Sequence, residues 1–194
     1  MENKKLNLRF GIICMIIFLA AGSRFIPHPP NFSPIGSIAL FGAAYYSRRY
    51  WSYLIPLAAM FLSDMVINNV LFRSFFGGFT WFYSGALFTY GAVLMIVLLG
   101  TFALRKVRIS NLILSALGAS AIFYLVSNFG VWASTGMYGM YPRTFVGLME
   151  CYIAGLPFLQ NIVAGDLIYT ITLFGVFELI QYKCPSLRPQ SVSL

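Results

Sequence analysis

Of 194 residues, 59% are hydrophobic and 9% charged, against about 45–50% and about 25% in soluble domains, so the chain lacks the polar surface a water-soluble fold needs. The formal net charge of +8 is not a nucleic-acid signature, because no basic stripe interleaves with aromatics and no binding motif is present. Three cysteines, Cys14, Cys151 and Cys184, lie far apart, giving neither metal-ligand spacing nor a disulfide framework.

In chain order, a hydrocarbon-spanning helix needs roughly 20 apolar residues. Five runs qualify: Leu6–Ile26, Trp51–Leu71, Trp81–Leu104, Asn111–Ala133 and Leu159–Ile180. The first, with Lys4 and Lys5 before it and Ala20-Ala21-Gly22 at its end, fits a secretory leader or a retained first span. The retained span is expected. Next comes a loop with four of the nine prolines, Pro27, Pro29, Pro30 and Pro34, which fix an extended course and project Arg24, His28, Asn31 and Ser33. It leads into the short run Ile35–Tyr46, rich in small residues that allow close helix approach. If that run crosses, 10 of the 13 basic residues fall on one side, and Arg24, Arg73 and Arg143 fall one to each opposite loop. If it re-enters instead, Arg105, Lys106 and Arg108 lie opposite Lys4 and Lys5. The positive-inside rule therefore predicts an all-α, six-helix integral membrane bundle in the cytoplasmic membrane, with both termini cytoplasmic. It forms a single domain over residues 1–194. The connection 134–158, rich in Tyr, Met and Gly, is expected as an outer lid loop.

Polar residues at membrane depth are costly and call for protein or water around them. Asp64, Asn68 and Asn69 fall in the third span, Asn128 in the fifth, and Asn161 and Asp166 in the sixth. At 1.5 Å per residue the two aspartates lie about 10 Å from the outer helix ends. Asp64 shares a helix face with Asn68, and Asp166 with Tyr169. Interhelical hydrogen bonding accounts for any single Asn as well as ligand binding does. A buried carboxylate is harder to account for without a cation, and the nearest are Arg24 and Arg73, so an Asp–Arg pair is expected.

These residues outline a pocket open to the outside. Its expected ligand-binding residues are Arg24, His28, Asn31, Asp64, Asn68, Trp81, Asn128, Trp132, Tyr141, Arg143, Asn161 and Asp166, with Tyr83 and Tyr138 as further walls. Trp81 fits an interfacial belt equally well. His28 and Cys151 lack the partners a metal site needs, and neither a metal nor a cofactor is expected. Two intramembrane aspartates, with Gly165 before Asp166, also fit an aspartyl protease dyad, although the fuller glycine-containing motif is missing. No Ser-His-Asp, zinc or phosphate-loop pattern occurs, and no enzymatic activity is expected.

The stretch from Arg24 to Tyr46, the Ser63-Asp64 pair, SNFGVW at 127–132, and CYIAGLPF at 151–158 followed by GDLIY at 165–169 resemble an uncharacterised bacterial family of transport-type membrane proteins. More distantly, size and span number resemble the S components of energy-coupling-factor vitamin transporters, including the solitary cobalamin-uptake type. That resemblance implies capture of a vitamin or precursor, cobalamin among them, from outside, and a transmembrane coupling subunit with ATPases as partner. It also implies docking through small residues, here Ala39, Gly42 and Ala43, which lie in the second helix rather than the first. A membrane scaffold whose polar residues only fix helix packing is the alternative.

Overall fold

A computed structural model describes residues 2–134 and 140–187, with side chains from Leu8 onward. The described residues are helical throughout their regular structure: α1 (Glu2–Gly22), α2 (Ile35–Tyr45), α3 (Arg49–Val66), a short α4 (Arg73–Phe76), α5 (Ala86–Ala103), α6 (Ile109–Ala133) and α7 (Phe145–Lys183). Five stretches are long and apolar enough to cross a bilayer, the pattern of a multi-pass membrane protein. Their outward faces carry large apolar side chains, including Leu19, Leu54, Leu62, Leu114 and Ile171.

The sixth apolar element, α2, is short and central. Its eleven residues reach only about 16 Å, roughly half of a hydrocarbon core, and nine of them are buried. Small residues permit this. A Cβ on Gly42 would meet Pro56 Cγ at 2.9 Å, and one on Gly100 of α5 would meet Ala43 Cβ at 2.8 Å. Ala39 and Gly42 are therefore covered by the chain's own helices. The small-residue pattern is spent on internal helix packing, which Ile35–Tyr46 was expected to allow, and Ala39 and Gly42 are not open for docking, while Ala43 is half-buried.

Successive long helices run alternately between two ends. One end gathers Arg24, the start of α2, the end of α3, the start of α5 and the end of α6 around a common cavity. The other gathers Arg9, Tyr45, Leu104, Arg105 and Glu178. There the Tyr45 hydroxyl donates to Glu178 Oε1 (2.5 Å) and the Arg9 guanidinium to the Tyr45 carbonyl (3.4 Å). Within the bundle the chain thus passes from one of these ends to the other through α2. Beneath these ends Phe41, Phe174, Phe177 and Tyr45 pack edge to face, with ring centroids 4.5–5.6 Å apart.

Two predicted boundaries are overturned. The 81–85 stretch is loop, so Trp81 precedes its helix rather than opening it. The expected lid loop 134–158 is helical from Phe145 onward, and α7 continues through Pro157 for 39 residues, about 58 Å. A proline inside a helix forfeits a hydrogen bond and usually breaks it. Here packing prevails: Gly147, Cys151 and Gly155, four residues apart, form a buried stripe. Thr144 caps the start by accepting the Gly147 amide at 3.2 Å.

Candidate functional site

Where α1 ends, a single 3₁₀ turn, Ser23–Phe25, turns Arg24 inward. Its guanidinium forms an ion pair with Asp64 of α3 at 2.7 Å and also hydrogen-bonds the Ser63 hydroxyl. The Tyr90 hydroxyl of α5 donates to the second Asp64 oxygen at 3.0 Å. Asp64 is 3% exposed, so this three-helix clamp supplies the partners that a carboxylate out of water requires. The expected Asp–Arg pair is present, and Arg24 is its cation. Tyr90 was not legible as a partner from sequence.

Past Asp64 the helix widens into one π-helical turn, Ile67–Leu71, a geometry frequent at functional sites. Asn68 is buried in it, and its amide nitrogen has no protein partner among the described residues. Asn69 grips the following loop: its side chain donates to the Thr80 carbonyl (2.9 Å) and accepts the Thr80 amide (2.7 Å).

The proline-rich loop is pinned along α7. Asn161 donates to the Pro30 carbonyl at 2.9 Å, Phe32 packs on Tyr169 with centroids 5.7 Å apart, and Gly165 leaves room for the Ser33 backbone. Asn31 adopts φ 64°, a left-handed conformation asparagine tolerates. His28 is exposed and, among the described residues, bonds its neighbour's carbonyl, Pro29 O, at 3.0 Å.

Between the loop and the ends of α3, α5, α6 and α7 lies a cavity of about 520 Å³. Polar groups on its wall come from Arg24, Asn31, Ser33, Tyr83, Ser127 and Asn128, and apolar ones from Met60, Phe72, Phe123, Phe158 and Ile162. Asn128 donates to the Tyr124 carbonyl (2.8 Å) and sits over Gly155, where a Cβ would come within 2.4 Å of its Oδ1. Burial, and secondarily the charge on Asp64, pushes the Tyr83 hydroxyl up to about 12, so it stays a donor. The Ser33 hydroxyl is buried without a partner among the described residues.

Of the twelve residues expected to line the site, Arg24, His28, Asn31, Asn128 and Tyr141 do so. The other seven serve elsewhere, which corrects the expected wall. Asp64 and Asn68 lie behind it. Trp81 is exposed on a separate aromatic surface with Phe61 and Phe79. Trp132 donates to the Pro142 carbonyl (3.0 Å) and Arg143 to the Ala133 carbonyl (3.1 Å), both bracing the α6–α7 connection. Asn161 anchors the loop. Asp166, 3% exposed, is bonded by Ser120 of α6 at 2.7 Å, and its carboxyl fills the space a Gly36 Cβ would take. Tyr138 lies outside the described residues.

The two aspartates have different partner sets, so a protease dyad finds no support in the geometry. Ser37, Tyr90 and Ser120, which complete the polar contacts, escaped sequence reasoning because serine and tyrosine are unremarkable in apolar helices.

No curated protein and no solved structure matches the chain. From residue 4 to residue 187, nearly its whole length, it matches a family of unknown function, DUF6580, and it belongs to that family.

Proposed function

We propose that this protein captures a small solute from the outer side of the cytoplasmic membrane. The carrying observation is the cavity of about 520 Å³ with polar groups from the loop, α1 and α6 set among aromatic and aliphatic walls. Such a mixture in a volume of about 300–1,000 Å³ is characteristic of small-molecule sites. The distribution of basic residues supports six crossings with both termini cytoplasmic, which turns the cavity outward. The volume suits a vitamin or precursor of one or two rings better than a corrinoid such as cobalamin. Because the Arg24 charge is met by Asp64, the wall favours a solute rich in neutral hydrogen-bonding groups. Kinship with S components, and a coupling subunit with ATPases as partner, remain part of this proposal on the resemblance alone.

Purification in mild detergent followed by mass spectrometry of released small molecules tests the reading. A specific co-purifying compound is expected, and it should be lost when Ser127→Trp fills the cavity while the thermal transition is retained. A second reading, a scaffold without solute, is favoured by one fact: both aspartates, neither of which lines the cavity, have protein partners. It gains if nothing co-purifies and Ser127→Trp changes neither binding nor stability.

A further inference from the structure

The end of the bundle opposite the cavity holds a second hollow, of about 490 Å³, walled by Arg9 of α1, Tyr45 of α2, Arg105 and Val107 of the α5–α6 connection, and Glu178 and Gln181 of α7. Beside it a groove of about 480 Å³ lies between α6 and α7, with Arg108 at its start. Val107 and Glu178 belong to both, so a polar compartment and an apolar one adjoin.

The charges of this recess do not cancel. Three guanidinium groups, from Arg9, Arg105 and Arg108, stand against the single carboxylate of Glu178. That carboxylate already accepts from the Tyr45 hydroxyl at 2.5 Å and the Gln181 amide at 3.3 Å. Among the described residues none of the three arginines forms an ion pair. Arg9 and Arg105 lie over the rings of Phe177 and Phe102 instead, at 5.9 and 5.5 Å. The excess positive charge calls for an anion, and the planar fork of arginine matches phosphate oxygens.

The groove adds a second requirement. Its walls include Ile109, Ile113 and Ile171, all exposed. The hydroxyl of Thr170, also on its wall, is paired with Ser37 at 2.9 Å, so it asks nothing of an occupant. A Cβ on Gly175 would meet nothing within 4 Å, which leaves the middle of the groove open. A soluble anion would answer the arginines and leave this apolar surface bare; a molecule with a hydrocarbon chain answers both.

We propose that the recess binds an anionic phospholipid of the adjacent leaflet, its phosphate among Arg9, Arg105 and Arg108 and one acyl chain in the α6–α7 groove. Basic pockets between transmembrane helices hold acidic headgroups in this way. The assignment rests on charge and surface at the end away from the cavity, and it is independent of solute capture.

The test uses the full chain, stripped of lipid in mild detergent and titrated with phosphatidylglycerol, with phosphatidylcholine of the same acyl chains, and with glycerol 3-phosphate, read by native mass spectrometry. Phosphatidylglycerol should bind more tightly than phosphatidylcholine, and glycerol 3-phosphate should not compete with it. Arg105→Gln and Arg108→Gln, at exposed side chains, should each weaken phosphatidylglycerol about fivefold and leave phosphatidylcholine unmoved. Gly175→Phe should weaken both lipids by filling the groove; should that variant melt early, the glycerol 3-phosphate competition decides the role of the groove. Equal binding of the two lipids, phosphatidylglycerol binding that the arginine variants leave unchanged, or glycerol 3-phosphate competing as well as the lipid would overturn the assignment. So would a lipid-free dimer that Gly175→Phe dissociates, since the groove would then belong to a second copy of the chain.

Discussion

Arg24 and Asp64 belong to helices adjacent at one end of the bundle, and each needs the other. Removing the cation leaves a carboxylate that is 3% exposed with Tyr90 as its remaining side-chain donor among the described residues, an uncompensated buried charge worth about 3–5 kcal/mol. Arg24→Met is therefore expected to lower the thermal transition strongly, and adding Asp64→Asn to recover most of the loss, as read in detergent melts of the single and double variants. Equal melting of both variants would mean the pair is not what stabilises this end. Tyr83 supplies a pH test. Its ionisation is pushed to about 12 from an ordinary value of 10, so the folded state holds a proton that the unfolded state gives up first. Stability is fully present below pH 10 and falls as pH rises from 10 toward 12. Tyr83→Phe should remove a share of that fall on the order of 2 kcal/mol, measured as the difference between the two melting profiles across this window. The Asp–Arg pair was legible in the sequence because a carboxylate at membrane depth is conspicuous and few cations can reach it. Ser120 and Tyr90 were not: hydroxyls commonly bond their own helix, and only the rotation of α5 and α6 decides which of them reaches an aspartate.

At the scale of elements, α7 departs furthest from what its sequence suggests. Pro157, Gly147 and Gly155 read as loop residues by local propensity. The glycines, with Cys151, lie on one face of α7 instead, and two of the three meet α6 through Asn128. The Cys151 thiol donates to the Asn128 carbonyl at 3.3 Å, and Gly155 accommodates the Asn128 side chain. Tertiary packing thus decides the conformation of 145–158, which no single-segment pattern reveals. By contrast the Ile35–Tyr46 run was read almost to the residue, because the proline-rich loop and its Gly/Ala content mark both its start and its close packing. The α6–α7 seam makes a specific prediction. Gly155→Ala would place a Cβ 2.4 Å from Asn128 Oδ1, and the Asn128 amide is held by Tyr124, so relief requires a shift costing about 1–3 kcal/mol. Asn128→Ala in the same chain should restore the melting temperature, a rescue that separates this contact from a general intolerance of alanine in α7.

Across the whole molecule, one end carries the cavity and the clamp and the other carries Arg9, Arg105, Glu178 and the exposed Cys184. Composition made the membrane class legible, and basic-residue counting supplied the expectation of alternating helices. Neither could reveal that the short second helix is wrapped on nearly every side, since burial inside protein and burial in lipid select the same apolar residues. Ile35–Tyr45 nevertheless connects the two ends, and this has a consequence for sidedness. If α2 crosses the membrane, Cys184 and residue 28 lie on opposite faces of it; a re-entrant α2 changes the parity of every later helix and puts them together. In intact cells expressing a chain with Cys14 and Cys151 replaced by alanine, native Cys184 is expected to react with a membrane-impermeant maleimide only after permeabilisation. His28→Cys in the same background, with Cys184 also replaced, should react without it, because His28 is exposed beside the cavity. Labelling of both positions from the same side would refute the alternation, and labelling of Cys184 alone in intact cells would turn the cavity toward the cytoplasm and remove the case for capture from outside.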